Sequence, residues 1–250
     1  MNKKLLLSAA AVATLIAAPA FAQEATGYVG AFYGNVDVET PFGDADADAW
    51  GVEGSVAFDA SSSIGLQLDA SYVNNDDFDS DALSGGVHVF HRNDQWALGG
   101  FAGVVDLDGD TAWQVGGEGA YYLPQVTFAG SVAYGTVDDS DVDVWGGNVE
   151  ARFFATDNLR FDGRIGAFNA DAGVGGDIDG WQFGVGAEWQ IDAAPMSLYT
   201  TFDSVQFDDV DVDVNTWMVG VRWNFGGTLK ERDRNGASFN GGLGSVFRSF

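Results

Sequence analysis

The chain contains no cysteine among its 250 residues. That excludes disulfides, thiolate metal sites and cysteine nucleophiles, and an exported protein needs no cross-link if its sheet closes well. Proline is scarce: Pro19, Pro41, Pro124 and Pro195 are its four copies, and none interrupts a periodic block. Basic residues are few, 11 Lys and Arg against 37 Asp and Glu, for a formal net charge of −26. This balance argues against a nucleic-acid partner and against electrostatic attachment to an anionic surface. Beyond the N-terminus no segment approaches the roughly 18 consecutive apolar residues of a membrane helix, so a helical membrane protein is excluded. At 46% apolar and 14% aromatic residues, the chain does not fit the disordered class either.

The first residues read as an export signal. Lys3 and Lys4 precede an almost wholly apolar run over residues 5–18, and Ala20-Phe21-Ala22 supplies the small residues of a cleavage site. Residues 1–22 are therefore expected to be removed, which leaves a mature chain from Gln23 with 9 basic and 37 acidic residues, a charge of −28.

From residue 27 to residue 225 apolar residues alternate with small or polar ones in short blocks, with no helical period. Trp50, Val52, Val56 and Phe58 share one face while Gly51, Glu53, Ser55, Ala57 and Asp59 share the other. Alternation of this kind is the mark of a strand with two unlike surfaces. Twelve strands are predicted, over 27–36, 49–59, 64–73, 83–91, 96–105, 112–122, 126–136, 144–155, 159–169, 180–190, 196–206 and 214–225. The 35 glycines follow no collagen period and, within strands, mark bends or close backbone approach.

The connections alternate as well. Five are short, around Ser61-Ser62-Ser63, Arg92-Asn93-Asp94, Leu123-Pro124-Gln125, Thr156-Asp157-Asn158 and Ala193-Ala194-Pro195. The other six hold 23 of the 37 acidic residues, among them Asp37, Asp76, Asp106, Asp138, Asp177 and Asp208. An up-and-down sheet with both termini at one end places five connections below and six above, so the acidic ones are assigned to the outside. Trp50, Trp113, Trp145, Trp181 and Trp217 each stand near the start of a strand descending from that end, with Leu83 in the sixth place. At one height around a barrel they form an aromatic girdle at the membrane interface. A soluble barrel with the tryptophans inside has the same alternation; export, the even strand number and the unequal connections favour the membrane version.

The last predicted strand presents Trp217, Val219, Val221, Trp223 and Phe225 on one face. This resembles the C-terminal strand signature of bacterial outer-membrane proteins, which the barrel-assembly machinery reads. The region 23–225 as a whole resembles a small porin-like outer-membrane β-barrel of Gram-negative bacteria. The resemblance is architectural and points to no subfamily. It implies a closed antiparallel up-and-down barrel of about twelve strands in the outer membrane, with lipids, lipopolysaccharide and the assembly machinery as partners. The chain departs from the pattern by continuing through residues 226–250, which carry Gly226-Gly227, charges from Lys230 to Arg234 and a terminal Phe250. This extension is expected to lie in the periplasm or to enter the lumen; a strand over 243–250 is the competing reading, and it would change the count or the closure.

With the tryptophan face in lipid, the inward face carries Glu53, Gln67, Asp69, His88, Gln114, Glu118, Glu150, Arg152, Asp162, Arg164, Gln182, Glu188, Asp203, Arg222 and Asn224. One reading is a charged constriction in which Glu53, Glu118, Glu150 and Glu188 are opposed by Arg152, Arg164 and Arg222. The other is a salt-bridged, hydrated interior with no through-path. A twelve-strand barrel stands between those filled by side chains and the wide porins, so any pore is narrow. Asp106, Asp108 and Asp110 alternate around Gly109 but lack the full spacing and closing Glu of a calcium loop. Diffuse divalent cations bridging the acidic end to lipopolysaccharide, or simple solvation, suit them better. No catalytic constellation, phosphate loop or zinc motif occurs, so neither enzymatic activity nor a cofactor is expected. The function expected is passive diffusion of small polar solutes with cation preference, and the alternative is a non-conducting envelope or surface-interaction barrel.

Overall fold

The computed structural model describes residues 25–75, 80–107, 110–138, 142–171, 173, 176–236 and 238–240. The expected signal segment 1–22, six residues of the acidic connections (Asp76, Asp77, Asp79, Asp108, Asp139 and Asp141) and residues 241–250 with Phe250 lie outside the described residues.

Twelve strands follow one another: β1 (Thr26–Thr40), β2 (Gly43–Asp59), β3 (Ile64–Asn75), β4 (Ser80–Arg92), β5 (Trp96–Leu107), β6 (Asp110–Tyr122), β7 (Val126–Val137), β8 (Val142–Thr156), β9 (Leu159–Asp171), β10 (Asp177–Gln190), β11 (Met196–Phe207) and β12 (Val212–Phe225). Each pairs with its sequence neighbours, and β1 closes on β12 in a single barrel. The closing pair is antiparallel from Gly27 opposite Phe225 to Glu39 opposite Asp213. The strand number and the closure at Phe225 are those expected from the alternation. Among the described residues one bulge, between Phe154 and Thr156, interrupts the ladders.

The apolar face points outward over the middle of the barrel, where Val132, Val149, Ile165, Val185 and Val219 are exposed. A soluble barrel would bury them, so the membrane version holds. Trp50, Trp113, Trp145, Trp181 and Trp217 are also outward and exposed. A second aromatic ring stands near the short turns, with Trp96, Tyr121, Phe128, Trp189 and Trp223. Trp181 and Trp189 are eight residues apart on β10, about 26 Å along a strand and about 20 Å in height after the usual tilt. The two rings thus bracket a band of membrane thickness.

Above the first tryptophan ring the strands continue where the sequence suggested connections. β1 runs to Thr40 and β2 starts at Gly43, so Asp37, Glu39, Asp44, Asp46 and Asp48 sit on strands joined by a two-residue turn. The faces exchange chemistry there. Asp46, Asp48, Asp143, Asp177 and Asp179 are exposed on the outer side, while the alternate residues Ala47, Val144 and Val214 are buried at 0%, 0% and 4%. Phe101, Val105, Phe168, Val205 and Phe207 join Val144 and Val214 in one cluster, with Val36, Val38, Val137 and Ile178 against it. The Phe168 and Phe207 rings meet edge to face at 5.4 Å. The barrel therefore stands out of the membrane by about 20 Å along the strand, seven residues from Trp50 to Gly43. In the membrane it is apolar outside and polar inside; above it, acidic outside and apolar inside. Strand parity is unbroken across the boundary, because the solvent changes and the pleat does not.

Candidate functional site: the lumen and its floor

Alternate residues of the middle strands aim their polar groups into the lumen, where they form four charged groups. On β3, β4 and β6, His88 stands between two carboxylates, with Nε2 2.7 Å from Asp69 Oδ2 and Nδ1 2.7 Å from Glu118 Oε1. The ring thus bridges carboxylates of two other strands across the inner wall. On β8, Arg152 donates to Glu150 through Nε at 2.9 Å and Nη2 at 2.7 Å. The residues are two apart on one face, which is what permits the fork. Between β2, β10 and β12, Arg222 bridges Glu53 at 2.8 Å and Glu188 at 2.7 Å. Its guanidinium lies 4.3 Å from the Tyr28 ring centroid and 4.0 Å from that of Tyr199. On β9, Arg160 meets Asp162 at 3.0 Å and Glu188 at 3.4 Å, and Arg164 pairs with Asp203 of β11.

The constriction residues anticipated from the sequence thus all face the lumen, in a different pairing. Glu53, Glu150 and Glu188 meet arginines. Glu118 meets His88 instead, and Arg164 meets Asp203 rather than a glutamate. Asp69, expected only as a lumen charge, is the other partner of His88. Arg160 and Tyr199 were missed, although they share inward parity with Asp162 on β9 and Asp203 on β11; Tyr28 was missed on β1, where no inward residue was named. The lumen carboxylates outnumber the basic groups.

The chain after the barrel, expected in the periplasm or the lumen, adds floor residues that the sequence reading did not name. Gly226 and Gly227 have φ of +87° and +114°, which L side chains adopt only under strain. They turn the backbone from β12 into helix α1 (Leu229–Asn235). Thr228 caps it, its side chain accepting from the Glu231 amide while Glu231 accepts from the Thr228 amide. Thr-x-x-Glu was the readable signal for this helix. The helix and the residues after it enter the barrel at the short-turn end. Asp233 is 3% exposed; it accepts from Arg152 Nη1 at 2.8 Å and from Thr127 Oγ1 at 2.6 Å. Arg92 Nη2 donates to Gly236 O at 3.0 Å. Gln67 holds the next stretch, donating to Phe239 O at 2.6 Å and accepting from the Ser238 amide at 3.0 Å. The Phe239 ring packs on Phe90 at 5.2 Å and parallel to His88 at 6.3 Å.

Between this floor and the apolar upper end lies a cavity of about 670 Å³, reaching from Leu229, Arg232 and Phe239 to Val36, Asn75 and Ser80. Its wall is ionic below and apolar above. Among the described residues no group of three or more His, Asp or Glu side chains is placed to hold a metal ion.

No protein-family model matches the chain, and no curated protein matches it. Solved structures do. The NanC porin superposes with a TM-score of 0.56 at 9% identity, over 80% of this chain and 100% of that one. The KdgM porin gives 0.52 at 9% identity, over 78% and 99%. A FadL homologue of Pseudomonas aeruginosa gives 0.50 at 9% identity, over 83% and 92%. With the closed sheet, the lipid-facing band and its two aromatic rings, these likenesses show that the chain has the fold of the porin-like outer-membrane β-barrels.

Proposed function

We propose that the chain is an outer-membrane channel for small polar solutes, kept shut by its own C-terminal segment. The observation that carries the reading is the set of bonds from Arg152, Thr127, Gln67 and Arg92 to residues 233–239. They hold a folded segment across the lumen floor. The sheet closes through β1 and β12 without that segment, so removing it leaves the barrel wall complete. In the open form the lumen favours cations, because Arg232 and Asp233 leave together while the ion-paired wall keeps the carboxylates Glu53, Asp69, Glu118, Glu150, Asp162, Glu188 and Asp203 against His88, Arg152, Arg160, Arg164 and Arg222, and the acidic collar adds to the field at the outer mouth. The collar, placed just above the tryptophans, also suits divalent cations shared with lipopolysaccharide phosphates.

Planar-bilayer recording of the purified mature protein, with and without residues 226–250, tests the proposal. The truncated barrel is expected to conduct with a cation-selective reversal potential, and the full chain to be mostly closed. Equal conductance of the two forms would remove the gating role. Silence of both would favour the second reading, a non-conducting surface barrel, for which the apolar packing at the outer end speaks.

A further inference from the structure

Arg232 is a poorly compensated charge on the lumen floor. Helix α1 carries it inward to 5% exposure, yet its ion-pair partner, Glu188 Oε1, is 3.8 Å from Nη2, beyond hydrogen-bond reach. Its Nε is buried without a hydrogen-bond partner. Nε and Nη2 form one edge of the guanidinium fork, the edge that matches the two oxygens of a carboxylate or phosphate. Glu188 cannot complete that edge, for it is already committed. Its Oε2 takes Arg222 at 2.7 Å and Arg160 at 3.4 Å, and its Oε1 accepts from Ser197 at 2.6 Å. Three guanidiniums converge on one carboxylate. Burial, with Arg222 and Arg160 adding to it against the pull of Glu188, brings Arg232 down to about 10.

A buried cation short of partners is costly, and a supplied anion relieves the cost. The anion has a place to come from, because Arg232, Arg160 and Glu188 all line the 670 Å³ cavity. It must be small, since Glu188, Asp162 and Glu53 line the same cavity and repel a larger anion. We infer that the lumen floor binds one small oxyanion, a carboxylate or phosphate, on the free edge of Arg232 beside Arg160. Bound there, the ion ties a residue of the C-terminal segment to the barrel wall at β9. It therefore strengthens the closure, and this consequence rests on the gating reading above.

The test uses the full mature chain in detergent, titrated with inorganic phosphate or acetate against chloride at constant ionic strength. Calorimetry and the thermal midpoint are the readouts. Saturable binding of both oxyanions is expected, weakened roughly tenfold or more in Arg232→Gln, weakened less in Arg232→Lys, which keeps the charge without the fork, and unchanged in Lys230→Gln. Lys230 lies on the same helix but pairs with Asp157 of the turn at 3.1 Å. Heat-modifiable migration on gels reports that each variant is folded. Equal binding by wild type and Arg232→Gln, or no saturable binding, would overturn the inference and leave the gating reading untouched. Wild-type conductance equal to that of the truncated barrel would overturn the gating reading, and the binding data would still decide the site.

Discussion

Replacing Asp233 by Asn removes the charge that fastens helix α1 to the barrel wall. Arg152 and Asp233 are 4% and 2% exposed in their side chains, so solvent cannot replace the lost partner. Breaking a buried pair from one side costs about 3–5 kcal/mol. The Glu150 fork still holds two of the Arg152 nitrogens, and the amide oxygen of Asn still accepts from Thr127, which places the cost at the lower end. A loss of about 3 kcal/mol changes the ratio of seated to released segment about a hundredfold, at 1.4 kcal/mol per decade. Single-channel recording at fixed voltage reads this ratio as open time. Asp233→Asn is expected to open about a hundred times more often than wild type, with the unit conductance of the barrel that lacks residues 226–250. Lys230→Gln removes an exposed pair and should leave the record unchanged. If Asp233→Asn stays as closed as wild type while the truncated barrel conducts, the Arg152 pair does not hold the segment, and the physical account of the floor is wrong.

Three further outcomes follow from the wall. Phe168→Ala, in the packed core of the projecting end, is expected to cost about 3–5 kcal/mol; Asp143→Asn on the other face of the wall should change stability by less than about 0.5 kcal/mol. Urea unfolding in lipid vesicles compares them, and equal midpoints would mean that the outer end has no core. Val149→Arg, on the lipid face midway between the aromatic rings, should cost about 2–4 kcal/mol, and Trp145→Arg about 0–1 kcal/mol near the interface. The same unfolding assay checks the order, and a reversed order would move the membrane boundary off the tryptophans. At Gly220 an added Cβ runs into the Tyr199 ring and the Ala31 carbonyl. Gly220→Val should therefore lose about 1–3 kcal/mol and lift Tyr199 away from Arg222; an unshifted thermal midpoint would show that the ring is not held there.

The sequence by itself determined the twelve strands, their order and the inward or outward aim of their side chains. Period-two alternation states these directly, and Trp217 to Phe225 marked the closing strand. The acidic stretches misled only in part: Asp46 and Asp48 read as loop by composition, but their parity with Trp50 already placed them on the outer face of a continuing strand. Parity carries no information about which residues meet across the lumen. Whether Glu118 meets His88 or an arginine depends on the stagger of neighbouring strands and the barrel diameter. Only the tertiary structure decided that, and only it brought Gln67 to Phe239, 172 residues away. The Thr228 and Glu231 spacing announced a helix start, but a seven-residue helix has little stability alone. Its place in the lumen is set by Arg152, Thr127 and Arg92, groups that exist as a site only after the barrel has closed.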